Sequence, residues 1–309
     1  MKILVTGGAG YIGSILVPKL LGEGHEVTVL DNLMYQQTPL LECCCNPRLT
    51  IIRGDVRDAR VLGELVRKAD AIFPLACLTG APLCAREPIA ATAVNRDVIK
   101  AIADMKSPSQ MLIYPCTNSG YGIGQEGIEC DEETPLRPVS LYGQLKVEAE
   151  SYVLERGCLT FRFATVFGAS PRMRLDLLVN DFMFRAVNDG FVVLFEAHFK
   201  RNYLHVQDAA AAFIHSLKNY DKMKGRPYNV GLSEANLSKW ELCEAIQRHV
   251  PRFTFLISEV GKDPDQRNYI VSNARIEATG FKPAVGLDAG LCELLKAYQV
   301  IRRNQFSNV

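Results

Sequence analysis

The chain has 309 residues, 48% of them hydrophobic, with 35 basic against 34 acidic side chains and a formal net charge of +1. That length suits one large domain or two fused lobes with a sizeable core, and the balanced charge argues against nucleic acid or an anionic membrane as partner. The chain opens on a charged strand, Met1-Lys2-Ile3-Leu4-Val5, rather than a secretory leader, and no apolar run approaches the roughly 20 residues of a membrane span, so a cytoplasmic protein is expected.

In chain order, the pattern predicts a strand over 2–6, a helix over 11–21, strands at 26–30 and 50–53, and a helix at about 58–68. A fourth strand follows at 71–75, a helix at 89–105, and a fifth strand at 110–114 that stops at Pro115. A helix over 139–155 and a strand over 159–164 complete the regular part. Strands apolar on both faces and separated by helices predict an α/β fold, a doubly wound parallel sheet of the Rossmann type. After Gly168 the rhythm becomes irregular, which suggests a smaller C-terminal lobe interleaved with the last units of the sheet. The ten cysteines are scattered, and Cys43-Cys44-Cys45 has no CxxC partner, so free thiols in a reducing compartment are expected, with no metal site.

The first strand runs into Gly7-Gly8-Ala9-Gly10-Tyr11-Ile12-Gly13 and then a helix. Glycines at that spacing permit a tight turn and a close backbone approach by a pyrophosphate, and the helix start offers free N–H groups. A plain glycine-rich loop would share the spacing, so the context matters. Asp31 ends the second strand, where a carboxylate accepts hydrogen bonds from ribose hydroxyls. Residues Asn32 to Gln37 include no Arg or Lys for a 2′-phosphate, which predicts NAD rather than NADP. Gly54-Asp55-Val56 would flank the adenine, although Asp55 would serve equally as a helix cap. Leu75 and Ala76 would line the dinucleotide path.

Beyond Pro115 the fifth strand ends in small polar residues, Cys116-Thr117-Asn118-Ser119. Tyr142-Gly143-Gln144-Leu145-Lys146 then places a phenol and an ammonium four apart, on one face of a helix. The lysine charge should lower the phenol pKa and let Tyr142 act as a general base. Many helices carry such a pair by chance. Here it follows the fifth strand of a dinucleotide fold with a hydroxyl, Thr117, at that strand's tip.

Together, Gly7–Gly13, Asp31, Gly54-Asp55, "CTNSGYG", "YGQLK", "RNYLHVQDAA" and "YNVG" resemble the extended short-chain dehydrogenases/reductases acting on nucleotide-diphosphate sugars, over nearly the whole chain. The resemblance implies that Thr117, Tyr142 and Lys146 are catalytic. It implies that Gly7, Gly10, Tyr11, Ile12, Gly13, Asp31, Asn32, Asp55, Val56, Leu75 and Ala76 join Tyr142 and Lys146 around NAD. Thr117, Asn118, Ser119, Asn180, Arg201 and Arg267 would hold the sugar nucleotide, the arginines through bidentate phosphate contacts. Arg86 in the loop 78–88 would face the sugar or simply be solvated, and Arg172 and Arg174 have no assigned role.

The implied division is 1–166 plus about 202–230 for the NAD domain, and about 167–201 plus 231–309 for the substrate lobe. A homodimer through a four-helix contact that includes the Tyr142 helix is also implied. Sugar 4,6-dehydratases carry Thr-Asp-Glu at the tip, whereas this chain has Thr117-Asn118-Ser119, which disfavours loss of water. "NSGYGIG", "SPRMRLDLLVNDF", "FKRNYLHV" and "DPDQRNYIVSN" further resemble bacterial GDP-D-glycero-D-manno-heptose 4-dehydrogenases, which favours a GDP-sugar as partner. A 4-epimerase shares the same triad and stays open as the alternative. A non-catalytic NAD-binding regulator would be expected to lose the Tyr or the Lys, and this chain keeps both.

Overall fold

Val5 and its neighbours explain the architecture, because β1 (Lys2–Thr6) is buried on both faces from Ile3 onward. In the computed structural model, which describes residues 1–124, 128–258 and 267–301, Ile3 and Val5 point into one core and Leu4 into another. That alternation is the period-2 signature of a strand covered by helices on each side.

The elements follow in order. After β1 come α1 (Gly13–Gly22), β2 (Glu26–Asp31), β3 (Leu49–Arg53), α2 (Ala59–Lys68) and β4 (Ala71–Pro74). Next are α3 (Ala81–Arg86), α4 (Pro88–Thr92), α5 (Val98–Met105), β5 (Met111–Thr117), β6 (Glu129–Cys130) and α6 (Leu141–Leu154). Then β7 (Leu159–Phe163), β8 (Thr165–Phe167), α7 (Leu178–Asn188), β9 (Phe191–Leu194), β10 (Lys200–His205), α8 (Val206–Met223) and β11 (Pro227–Val230). The chain finishes with β12 (Asn236–Ser238), α9 (Lys239–His249), β13 (Thr254–Ile257), β14 (Ile270–Val271), α10 (Ala274–Glu277) and α11 (Leu287–Val300).

Seven strands form one sheet in the order β11-β7-β5-β4-β1-β2-β3, and every neighbouring pair is parallel. The strand order reverses between β1 and β4, the switch point that leaves a crevice at the carboxyl ends of the strands. Leu16 and Leu20 of α1, with Phe213 of α8, fill one face against Phe73 and Phe161. Leu62 and Val66 of α2, Ile99 and Ile102 of α5, and Ala149 and Val153 of α6 fill the other.

Two expectations need correction. β5 does not stop at Pro115 but runs to Thr117, with Pro115 paired to Phe161 of β7. The β4 ladder ends at Ile72–Leu112, so β5 is locally an edge beyond that point, where a missing N–H is tolerated. The helix expected at 89–105 is split by a π-type segment at Ala93–Asp97. Its Asn95 donates to the Leu78 carbonyl at 2.8 Å and accepts from the Leu78 N–H at 2.9 Å, so the irregular turn secures the loop after β4.

The later chain is interleaved. α8 packs against α1 and β11 joins the large sheet, while β8, β10 and β12 form a separate three-stranded sheet. Residues 202–205 lie in that small sheet. No helix among the described residues is long and apolar enough to cross a membrane.

Candidate active site

A cavity of about 570 Å3 opens over the carboxyl ends of β1, β2, β4, β5 and β7. Its floor at one end is the glycine turn. Gly7 has φ +68, and a Cβ there would lie 2.5 Å from the Ala76 backbone nitrogen. Only glycine lets β1 and the end of β4 approach this closely. The Asp31 carboxylate is oriented by two backbone donors, accepting from Ala9 N–H at 3.0 Å and Leu33 N–H at 2.8 Å. Its remaining lone pairs stay available to hydroxyl donors.

Gly7, Gly10, Tyr11, Ile12, Gly13, Asp31, Asn32, Asp55, Val56, Leu75 and Ala76 all line this cavity. Two of them carry local structural work as well. The Tyr11 hydroxyl donates to the Gly168 carbonyl at 2.6 Å, tying the glycine turn to the second lobe. Asp55 pairs with Arg57 at 2.6 Å, while the helix cap of α2 is Asp58, not Asp55.

At the other end of the cavity lie Thr117, Ser119, Tyr142, Lys146 and Arg267. Ser140 caps α6 by accepting from the Gly143 N–H at 3.2 Å, which sets Tyr142 in the first turn. Thr117 ends β5, and its Oγ1 accepts from the Ser119 N–H at 3.1 Å and donates to Ser119 Oγ at 2.9 Å. Lys146 is buried, with Nζ 4.3 Å from the centre of the Tyr114 ring.

The acid–base setting differs from expectation. Burial pushes the Tyr142 phenol well above its ordinary range, Cys77, Cys116 and Cys84 push the same way, and Arg174 opposes them. Loss of water around the phenolate outweighs the cations near it, so the phenol lies above its ordinary range, not below it.

The residues expected to hold the sugar nucleotide divide. Ser119 and Arg267 line the cavity, and an Arg267 guanidinium N–H donates to Ser119 Oγ. Asn180 does not reach it. Its Oδ1 accepts from Gly168 N–H at 3.0 Å, and its Nδ2 donates to the Arg174 carbonyl at 2.9 Å and to Tyr11 Oη at 3.2 Å. Both ends of that amide are engaged in holding the turn before α7. Arg201 is buried in β10 opposite Leu237 of β12 and is not among the residues lining the cavity; its charge and that of Arg267 both act on Tyr203. Asn118 lies behind the tip, 1% exposed, with neither amide atom partnered among the described residues.

In their place the structure brings Arg172, Arg174, Tyr35 and Thr165 to the cavity wall. The Arg172 guanidinium stacks 4.0 Å over the Tyr35 ring, closing the second lobe onto the loop after β2. Arg174 pairs with Asp176 at 2.5 Å. The Tyr35 hydroxyl and Thr165 Oγ1 are buried without a hydrogen-bond partner among the described residues, a condition that a polar ligand relieves. The doubled arginine in "SPRMR" was the available sequence signal; Tyr35 and Thr165 had none. The segment 78–88, read as a loop, contains α3, with Pro82 in its first turn, and Arg86 at its end lines the cavity.

Known proteins share features of this sequence and fold. The model of the NAD dependent epimerase/dehydratase family covers residues 3–231. The chain belongs to this family. It is 28% identical over 305 residues to the low-salt glycan biosynthesis protein Agl12 of Haloferax volcanii, covering 94% of this chain and 96% of that protein. Its fold is similar to that of Pal from Bacillus thuringiensis, with a TM-score of 0.86, 22% identity, and 97% and 99% of the two chains covered. It is also similar to the UDP-glucose 4-epimerase of Thermus thermophilus in complex with NAD, with a TM-score of 0.81, 25% identity, and 97% and 99% covered. As a member of this family the chain is an enzyme that uses NAD, and the Gly7 approach and the Asp31 carboxylate fit that cofactor.

Proposed function

We propose that this enzyme oxidises the C4 hydroxyl of a nucleotide-diphosphate sugar to a ketone, and that the sugar nucleotide is GDP-D-glycero-α-D-manno-heptose. One observation carries the choice of a reaction without loss of water. Among the described residues lining the cavity, the carboxylates are Asp31, Asp55 and Glu87, and none stands at the β5 tip. A sugar held against Thr117 and Tyr142 therefore meets hydroxyls, amines and guanidinium groups, but no carboxylate base for removing a C5 proton.

The residues divide the work simply. Tyr142 accepts the C4 hydroxyl proton as the hydroxyl carbon is oxidised. Thr117 hydrogen-bonds the same oxygen and keeps it in line. Lys146, one turn below Tyr142, keeps positive charge beside the phenolate once it forms. NAD, when bound, supplies the hydride acceptor. Arg267, Arg172 and Arg174 supply cations along the cavity wall for the diphosphate. The heptose and the guanine base rest on the resemblance of "SPRMRLDLLVNDF" and "DPDQRNYIVSN" to the GDP-heptose 4-dehydrogenases.

A 4-epimerase is the second reading, and the likeness to the Thermus thermophilus enzyme speaks for it. Incubation of the enzyme and NAD with GDP-D-glycero-α-D-manno-heptose, followed by mass spectrometry and NMR, separates the outcomes. A product lighter by two hydrogens supports oxidation. An isomer of unchanged mass supports epimerisation, and a product lighter by one water overturns the reading of Asn118 and Ser119. Parallel incubations with UDP-, CDP- and dTDP-sugars test the base. The assembly proposed with this reading is a homodimer through a four-helix contact that includes α6, whose Gln144, Glu148 and Ser151 form an exposed stripe at helical spacing. Analytical ultracentrifugation giving a monomer at assay concentration would exclude it.

A further inference from the structure

In the second lobe, away from the cofactor cavity, three side chains of different ligand types converge where α9 ends against α11. His249 is the last residue of α9, and Asp288 and Cys292 sit one turn apart on α11. The Cys292 thiol lies 3.5 Å from His249 Nδ1, and the Asp288 carboxylate lies 2.7 Å from His249 Nε2. One ligand atom from each residue falls within 4.8 Å of the others. His249 and Asp288 are 39 residues apart in sequence, so no motif spacing announced the group. None of the three lines the cavity described above.

We infer that His249, Asp288 and Cys292 bind a zinc ion. The donor set is a thiolate, an imidazole and a carboxylate. Sulfur and nitrogen donors suit a borderline-soft cation such as Zn2+ and are poor ligands for Mg2+ or Ca2+. With Zn–S near 2.3 Å and Zn–N near 2.0–2.1 Å, a tetrahedral site separates sulfur from nitrogen by about 3.5 Å. The Cys292–His249 separation of 3.5 Å already has that value. Asp288 completes the set by rotating from Nε2 onto the ion, which its 73% exposed side chain is free to do. A water molecule takes the fourth position from the solvent side.

The setting favours a cation in another way. The free carbonyls at the end of α9 carry the negative end of its dipole. The neighbouring Arg248 is exposed, so solvent screens its charge. Binding releases the Cys292 thiol proton to solvent and involves no change of oxidation state. Its consequence is a clasp between α9 and α11, two helices packed together in the second lobe.

The test uses the full-length enzyme and ZnCl2 alone. Equilibrium dialysis with metal analysis should find one zinc per chain. Co2+ in place of Zn2+ should give thiolate-to-cobalt charge-transfer absorption, and Zn2+ should protect Cys292 from iodoacetamide, as read by peptide mass spectrometry. Cys292→Ser and His249→Gln should each weaken binding by more than about tenfold, and Asp288→Asn by less. A variant with Cys43, Cys44 and Cys45 all changed to Ser should keep the zinc, because those thiols belong to a different surface. No stoichiometric binding, or binding that survives Cys292→Ser, overturns the proposal. Equal alkylation of Cys292 with and without Zn2+ also overturns it.

Discussion

The two ends of the cavity are built by different means. At the cofactor end, backbone geometry does the work: a glycine turn directly after β1, and a carboxylate at the end of β2 held by the Ala9 and Leu33 N–H groups. At the substrate end, side chains arrive from five distant parts of the chain. Thr117 and Ser119 come from the β5 tip, Tyr142 and Lys146 from α6, Thr165 from β8, Arg172 and Arg174 from the segment before α7, and Arg267 from the segment before β14. The first kind of site survives as a local pattern. The second depends on how two lobes meet, and it can change its chemistry without disturbing the first.

The sharpest separation of the two ends is Tyr142→Phe. It removes one oxygen from the substrate end and should lower kcat by roughly 10²–10⁴-fold while NAD binding, read by calorimetry, is unchanged. The pH profile adds a sign. Burial raises the phenol, so the basic form gains population as pH rises, and the rate of oxidation should climb from neutral into alkaline pH. Arg174 is a cation that opposes this shift, so Arg174→Met should move the rise to higher pH. A flat profile in the unaltered enzyme would sink the assignment of Tyr142 as base.

A second test asks whether the substrate end is held by buried charge. Arg162 of β7 pairs with Glu150 of α6 at 2.9 Å, both nearly inaccessible, and also donates to the Tyr121 hydroxyl at 3.1 Å. Tyr121 in turn donates to Asn229 Oδ1 at 2.7 Å, and Glu132 accepts from the Asn229 N–H at 2.7 Å. The network joins the β5 tip, the Tyr142 helix and β11. Arg162→Leu strands Glu150 without its partner and should cost about 3–5 kcal/mol, seen as a lower denaturation midpoint at unchanged slope. A loss below about 1 kcal/mol would mean that water reaches Glu150 and that the network is not what holds the tip.

The smallest effects distinguish scaffold from contact. Asn180→Ala removes an amide whose partners are all within the protein, so it should cost about 1–3 kcal/mol of stability and leave GDP affinity unchanged. Arg267→Ala should do the reverse: stability nearly unaltered, and GDP binding weakened about tenfold by calorimetry. If Asn180→Ala alone lost GDP, the phosphate contact expected of it would be restored.

The comparison of sequence with structure follows the same line. The parallel sheet, the glycine turn, Asp31 and the Tyr142–Lys146 pair were legible because each is a pattern within one or two adjacent elements. For Asn180 and Arg201 motif position did not say which way the side chain faces: Asn180 turns inward to Gly168 and Tyr11, and Arg201 is buried on β10. The extension of β5 past Pro115 was missed because the shortness of β4 was not visible to a reading of β5 alone.

By itself, then, the sequence determined the strand and helix alternation, the glycine turn after β1, and the choice of a hydroxyl, an amide and a second hydroxyl at the β5 tip in place of carboxylates. These follow from local sterics and from residue chemistry. Tertiary structure alone decided that Arg172 stacks on Tyr35, that burial and the surrounding thiols raise the Tyr142 phenol against the charge of Arg174, and that His249 meets Asp288 and Cys292. Charges and ligands act through distances of a few ångströms in space, and chain separation carries no information about those distances until the lobes have packed.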